Sequence, residues 1–283
     1  MRWREGRQSE NVEDRRGMSR GGMAIGGGLG GIVLLVIALL LGADPRQLLE
    51  QMPSEGPAPT AETSRPTNPE EEEQRKFVAA VLANTEDVWN DIFRQLGRQY
   101  KEPTLVLFTD QVRSACGVAG AVTGPFYCPG DQKLYLDFSF FHDLKTRFRA
   151  PGDFAQAYVI AHEVGHHVQK LLGTMDQVNA AQGRASEAQA NQLSVQIELQ
   201  ADFLAGVWAY YAQKKGLLEQ GDVEEALGAA SAVGDDRLQR ETQGYVVPDS
   251  FTHGTSDQRI RWFRRGLETG DIRQGDTFKT RGL

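Results

Sequence analysis

Three of the five histidines in this 283-residue chain fall within six positions, in the run His162-Glu163-Val164-Gly165-His166-His167. The residues around them repeat with a helical period: Phe154, Ala155, Tyr158, Ile160, Ala161, Val164, Val168 and Leu171 are apolar or aromatic. That spacing predicts a largely buried helix over residues 153–172. Unpaired polar groups are costly inside such a helix, so two histidines and a glutamate there need a partner. His162 and His166 stand one turn apart on one face, and their imidazoles can converge on a single zinc ion. Glu163 lies about 100° further round, beside the metal, where a general base toward a bound water belongs.

A catalytic zinc site takes three protein ligands and leaves one position for water. In the metzincin pattern a glycine and a third histidine follow the second histidine at three-residue intervals. Here Gln169 and Leu172 occupy those positions, which excludes that class. The remaining route is a carboxylate from a later helix. Residues 186–214 read as a helix and contain Glu198-Leu199-Gln200-Ala201-Asp202. Glu198 and Asp202 share a face, with Glu198 as third ligand and Asp202 accepting the second ring N–H of a ligand histidine, His162. Ala201, Ala205 and Gly206 would let this helix pack closely on the first. His167 and His142 read as structural. His253, ahead of a helix predicted over 256–269, is a candidate for stabilising the oxyanion of a tetrahedral intermediate. Its alternative is a helix-flanking role beside an N-cap at Thr255 or Ser256. Tyr135 is a second candidate oxyanion donor, with core packing as its alternative.

The N-terminal third has a different character. Residues 1–20 are polar, and six arginines outnumber four acids. Residues 21–43 carry no charge and hold an apolar core over 32–41, long enough for one transmembrane helix. Positive charge precedes the run and Asp44 follows it, so the charge rule puts the N-terminus in the cytoplasm and the rest outside. A cleaved signal peptide is disfavoured by the poor small-x-small site at Leu41-Gly42-Ala43, and a buried core helix by the run's length. Residues 44–73 are rich in proline and glutamate and read as a disordered linker.

The domain then spans 74–283. Helices are expected over about 70–96, with the acidic run Glu70–Glu73 at the first helix's N-terminus, and over 142–148, 153–172, 186–214, 223–233 and 256–269, and strands over 105–108 and 133–138. This makes an α+β fold, mostly helical with a small sheet. Strand 133–138 is the expected cradle for an extended substrate, through main-chain bonds. Cys116 and Cys128 are the only cysteines. An oxidising compartment beyond the membrane would favour a disulfide between them. The net charge of −7 gives no electrostatic footprint for nucleic acid.

With these segments in view, the chain resembles the neutral zinc metallopeptidases, a bacterial membrane-anchored family of gluzincin type. The resemblance covers the anchor and nearly all of 74–283. It is carried by Cys116-Gly117 with the Gly124-to-Pro129 segment, Tyr135-Leu136-Asp137, AHEVGHHVQ from Ala161, ELQAD from Glu198, AGVWA from Ala205, GDDRLQ from Gly234 and VPDSFTHGTSDQR from Val247. It implies a zincin-like fold, one zinc ion and hydrolysis, and implies a substrate less firmly. Family members carry a cysteine after the E-x-x-x-D aspartate and another near the C-terminus. Here those positions are Phe203 and Gly275, consistent with the joint loss of a second disulfide.

The expected activity is therefore hydrolysis of a peptide or protein substrate by zinc-activated water, with Glu163 as base. The expected location is the bacterial inner membrane, with the catalytic domain extracytoplasmic. Two other readings stand beside it: a catalytically silent, zinc-stabilised binding or scaffold domain of the envelope, and a zinc hydrolase of a non-peptide bond. An intact Glu163 argues against the silent one, because a structural zinc needs no base.

Overall fold

The computed structural model describes residues 1–17, 68–120 and 123–280. Within the described residues no helix is long and apolar enough to cross a membrane. The apolar run at 21–43, and the linker up to residue 67, lie outside them.

Helix α1 (Pro69–Gln95) starts one residue before the acidic run expected to open it, and so ahead of the domain boundary drawn at residue 74. Asn68 caps it by accepting the Glu70 N–H at 3.1 Å, Pro69 fits the first turn, and Glu70, Glu71 and Glu72 face the positive end of the helix dipole. The acidic run is thus the start of the helix and not linker. Its apolar stripe, including Phe77, Val81, Trp89 and Ile92, is buried.

A four-stranded sheet lies against the helices. It contains β1 (Val12–Asp14), β2 (Thr104–Phe108), β5 (Phe126–Cys128) and β6 (Lys133–Asp137), in the order β1-β2-β6-β5. β1, β2 and β6 are parallel, with Leu105 opposite Leu134 and Leu107 opposite Leu136, and β5 is antiparallel to β6. Alternation divides the side chains between two faces. Leu105, Leu107, Leu134, Leu136 and Tyr127 join the main core under the helices. Val106, Phe108, Tyr135 and Cys128 form a small core on the far face with Val112. Val112 comes from a hairpin, β3 (Gln111–Ser114) and β4 (Gly117–Gly120), where the sequence suggested only loop. A Cys116–Cys128 disulfide ties this hairpin's turn to β5.

Two expectations change here. β6 is hydrogen-bonded on both sides, to β2 and to β5, so its main chain has no free edge for a substrate. β5 is the outer strand on that side. The residues read as a separate tail also belong to this domain as far as Arg16. β1 pairs with β2, Trp3 packs edge-on against Phe77 with centroids 5.4 Å apart, and the Lys133 ammonium meets Glu13 at 2.8 Å. A charge tally treats Glu13 and its neighbouring arginines as solvated; the fold uses them as partners.

The helical layer follows as α2 (Ser139–Thr146), α3 (Asp153–Leu172), α4 (Thr174–Gln182), α5 (Glu187–Lys214), α6 (Asp222–Ala232), α7 (Asp235–Gln243) and α8 (Ser256–Thr269). α3 is buried along most of its length. Its first turn is capped from α6, where Glu225 accepts the Phe154 N–H at 3.0 Å. Gly173, at φ +85°, ends it. The span between α3 and α5, expected as a turn, holds α4. α7 is a further helix without a sequence signal, because its Asp-Asp-Arg-Leu-Gln-Arg-Glu-Thr-Gln run shows almost no apolar period. At Gly206 and Gly266, α5 and α8 cross in backbone contact: a Cβ on either would lie about 2 Å from a carbonyl oxygen of the other helix. Gly206 therefore serves α8, while Ala201 faces α3 at Gly165. Gly275 sits against the Phe203 ring, where a Cβ would come within 2.3 Å of it. The two positions where the resemblance implies cysteines are thus neighbours, filled here by one large and one absent side chain.

Candidate metal centre

α3 and α5 bring His162, His166 and Glu198 together. The His162 Nε2 lies 3.1 Å from one Glu198 oxygen, and the His166 Nε2 lies 3.3 Å from the other. A ligand atom from each of the three residues lies within 4.8 Å of the other two. What allows the approach is Gly165, inside the motif. A Cβ there would meet the Ala201 carbonyl oxygen at 3.0 Å and its Cα at 3.2 Å. Glu198 is one turn ahead of Ala201, so helix contact at Gly165 sets the reach of the third ligand.

The far ring nitrogens decide whether the trio suits a metal. His162 Nδ1 lies 2.9 Å from Asp202 Oδ1, a carboxylate that can only accept. His166 Nδ1 lies 2.9 Å from Gln169 Oε1. The Gln169 amide is oriented by its own N–H groups, which donate to the Ile197 carbonyl at 2.7 Å and to Gln200 Oε1 at 3.1 Å. Both Nδ1 atoms therefore carry hydrogen, which leaves the two Nε2 atoms, both facing the Glu198 carboxylate, as the positions where a metal ion would replace protons. Two imidazole nitrogens and a carboxylate converging in a mostly buried place form an N₂O donor set of the kind zinc takes in catalytic sites.

Asp202 is the centre of a buried network. It accepts from Arg259 Nε at 2.8 Å and Nη2 at 3.0 Å, from His162, and from the Tyr158 hydroxyl at 2.5 Å. Burial alone would raise its pKa, but the Arg259 charge and then His162 hold it below the usual carboxylate range. Burial likewise disfavours a charged His162, yet the Asp202 charge and the hydrogen bonds to Asp202 and Glu198 raise it to about 10. Burial opposes charge on Glu198 too, and the two histidines, His166 first, hold it well below its ordinary value. The site thus draws positive charge strongly.

Glu163 is half-buried on the same helix, and no hydrogen bond to its carboxylate is made among the described residues. Its charge reaches His166, as expected for a base beside the ligands. His253 sits in a tight loop organised by Asp235. One Asp235 oxygen accepts the N–H groups of Thr252 (2.8 Å), His253 (2.6 Å) and Gly254 (3.0 Å), and the other lies 3.2 Å from His253 Nδ1. Gly254 packs onto Val195 and Leu199, the α5 residues flanking Glu198. The Asp235 hydrogen bond raises His253, burial opposes it, and the Glu198 charge adds to the rise. The helix cap in this loop is Thr255, which forms a capping box with Gln258.

Two other readings resolve. His167 is buried, with Nε2 at 2.6 Å from the Lys101 carbonyl and Nδ1 at 3.1 Å from the Tyr127 hydroxyl. Its role is structural, and burial lowers it to about 4. Tyr135 lies on the far face of the sheet, stacked on Phe126, with its hydroxyl donating to Asp131 at 2.7 Å. It cannot serve as an oxyanion donor. Arg259, Tyr158 and Gln169 are the residues of the centre that sequence reasoning does not reach. Tyr158 and Gln169 carry a faint signal, four residues before His162 and three after His166 on the same face. Arg259 carries none, because its partner lies 57 residues away.

No solved structure matches the chain. It is 50% identical to "Uncharacterized protein YpfJ" of Escherichia coli K12, over 98% of this chain and 99% of that protein. It is 40% identical to "Uncharacterized protein Rv2575" of Mycobacterium tuberculosis H37Rv, over 87% of this chain and 86% of that one. A family model described as "Putative neutral zinc metallopeptidase" matches residues 1–278, and the chain belongs to that family.

Proposed function

We propose that the domain is a zinc-dependent peptidase. The observation that carries this reading is the convergence of two imidazole Nε2 atoms and the Glu198 carboxylate, with Glu163 beside them on the same helix. Bound by His162, His166 and Glu198, zinc supplies Lewis acidity that lowers the pKa of water and polarises a carbonyl. Glu163 takes the proton of the attacking water and delivers it to the leaving amine nitrogen. His253, whose pKa is raised by its hydrogen bond to Asp235, donates to the carbonyl oxygen as negative charge grows there. Asp202, clamped by Arg259 and Tyr158, fixes the His162 ring, and Gln169 does the same for His166. The outer edge of β5 offers main-chain groups to an extended peptide. The Cys116–Cys128 disulfide favours work in an oxidising, extracytoplasmic compartment.

The test compares the full-length protein with Glu163→Gln on a diverse peptide library, with zinc content measured for both. The variant should keep stoichiometric zinc and lose about 10²- to 10⁴-fold in rate, the usual worth of a general base. Loss of zinc with the glutamate, or a wild-type rate without it, would refute the assigned role. A zinc-loaded wild type that cleaves nothing would refute the peptidase reading and favour a binding domain or a non-peptide substrate.

A further inference from the structure

The N-terminal segment is held in place by the domain's interior. Glu86, on α1, is fully buried. Its carboxylate is satisfied by Arg7 Nη2 at 2.8 Å, by Asn11 Nδ2 at 2.9 Å and by the Ser9 hydroxyl, all from that segment. Without residues 7–11 a buried charge would have no partner, a strongly unfavourable state. β1 then hydrogen-bonds along β2. The Arg16 guanidinium lies 3.2 Å from the Glu71 carbonyl and 3.5 Å from its carboxylate, so the chain leaves this domain beside the point where it re-enters.

This geometry conflicts with a single crossing by residues 21–43. One crossing puts the two flanks on opposite sides of a bilayer, whereas β1 and β2 are neighbours in one sheet. Residues 44–67 cannot supply a return span, because they hold five prolines and six charged residues. The charge rule is also weakened among the described residues: Arg4, Arg7, Arg15 and Arg16 are paired with Glu73, Glu86, Glu13 and Asp14.

We infer that the N-terminal segment and the zinc domain stand on the same side of the membrane. This replaces the single-pass orientation expected from the sequence and does not depend on catalysis at the metal centre.

Single cysteines at two exposed positions of the full-length protein, Gln8→Cys and Gln213→Cys, test it. The two native cysteines are joined to each other, so only the new thiol reacts. A membrane-impermeant maleimide is applied to intact spheroplasts and to inverted vesicles. Both positions should label from one face and be protected about tenfold at the other. Labelling of the two positions from opposite faces would overturn the inference.

Discussion

Gly165 is the residue through which helix packing controls metal binding, and Gly165→Ala isolates that role. On an open helix surface this change is stabilising by roughly 0.5–1 kcal/mol, because glycine loses more backbone freedom on folding. Gly228, in α6, is such a surface, with no atom within 4 Å of the place a Cβ would take, and provides the control. At Gly165 the added carbon meets the Ala201 carbonyl oxygen at 3.0 Å and its Cα at 3.2 Å, which requires a neighbour to yield by a few tenths of an ångström. Both contacts are backbone, so relief means moving α5 away from α3. Forced overpacking costs about 1–3 kcal/mol, which outweighs the helix gain. The net expectation is a loss of about 0.5–2 kcal/mol for Gly165→Ala, and a gain of about 0.5–1 kcal/mol for Gly228→Ala. Glu198 moves with α5, and zinc–ligand distances tolerate only about 0.2 Å. Zinc affinity should therefore fall by about tenfold or more in the first variant and stay unchanged in the second. Thermal unfolding of the chelated proteins reads the stability, and competition with a chromophoric chelator reads the affinity. If both variants gain in Tm and bind zinc like wild type, glycine at position 165 does not set the helix separation.

Arg259→Met leaves buried Asp202 without its guanidinium and should cost about 3–5 kcal/mol in a urea titration. Arg259→Lys, which keeps the charge without the two-point contact, should cost less, and native stability in Arg259→Met would show that Asp202 needs no cation. The hydrogen bond to Asp235 raises the pKa of His253 above 6.5. The stabilising pair is therefore complete below pH about 6.5 and is lost as pH rises through the folded-state value, and activity should fall on the same alkaline limb. His253→Phe should abolish that limb of the kcat/KM profile with zinc still bound; an unchanged profile would remove His253 from the mechanism. Reduction of the Cys116–Cys128 bridge reopens a short loop and should lower stability by up to about 3 kcal/mol, read as a shift of the unfolding midpoint.

Phe203 and Gly275 sit in contact, a ring packed against a glycine beside α5. That leaves the helix bearing Glu198 and Asp202 secured by packing, chiefly at its crossing with α8.

What the sequence determined by itself is local and periodic. α3 was legible end to end because its apolar residues recur every three to four positions, and its two histidines one turn apart share a face by helix geometry alone. Glu198 and Asp202 were legible for the same reason, as carboxylates one turn apart in a helix otherwise too apolar for them. Tertiary structure alone decided the rest. Arg259 and Gln169 matter because of atoms supplied by other helices, and residue type gives no hint of such partners. The order of strands placed β6 inside the sheet and left the outer edge to β5, a consequence of hydrogen bonding between segments far apart in the chain. The polar first sixteen residues looked like a solvated tail because nothing in their sequence states that a buried Glu86, some 77 positions from Ser9, needs them. Short-range periodicity fixes which faces are apolar; only the packed chain fixes which distant charges those faces enclose.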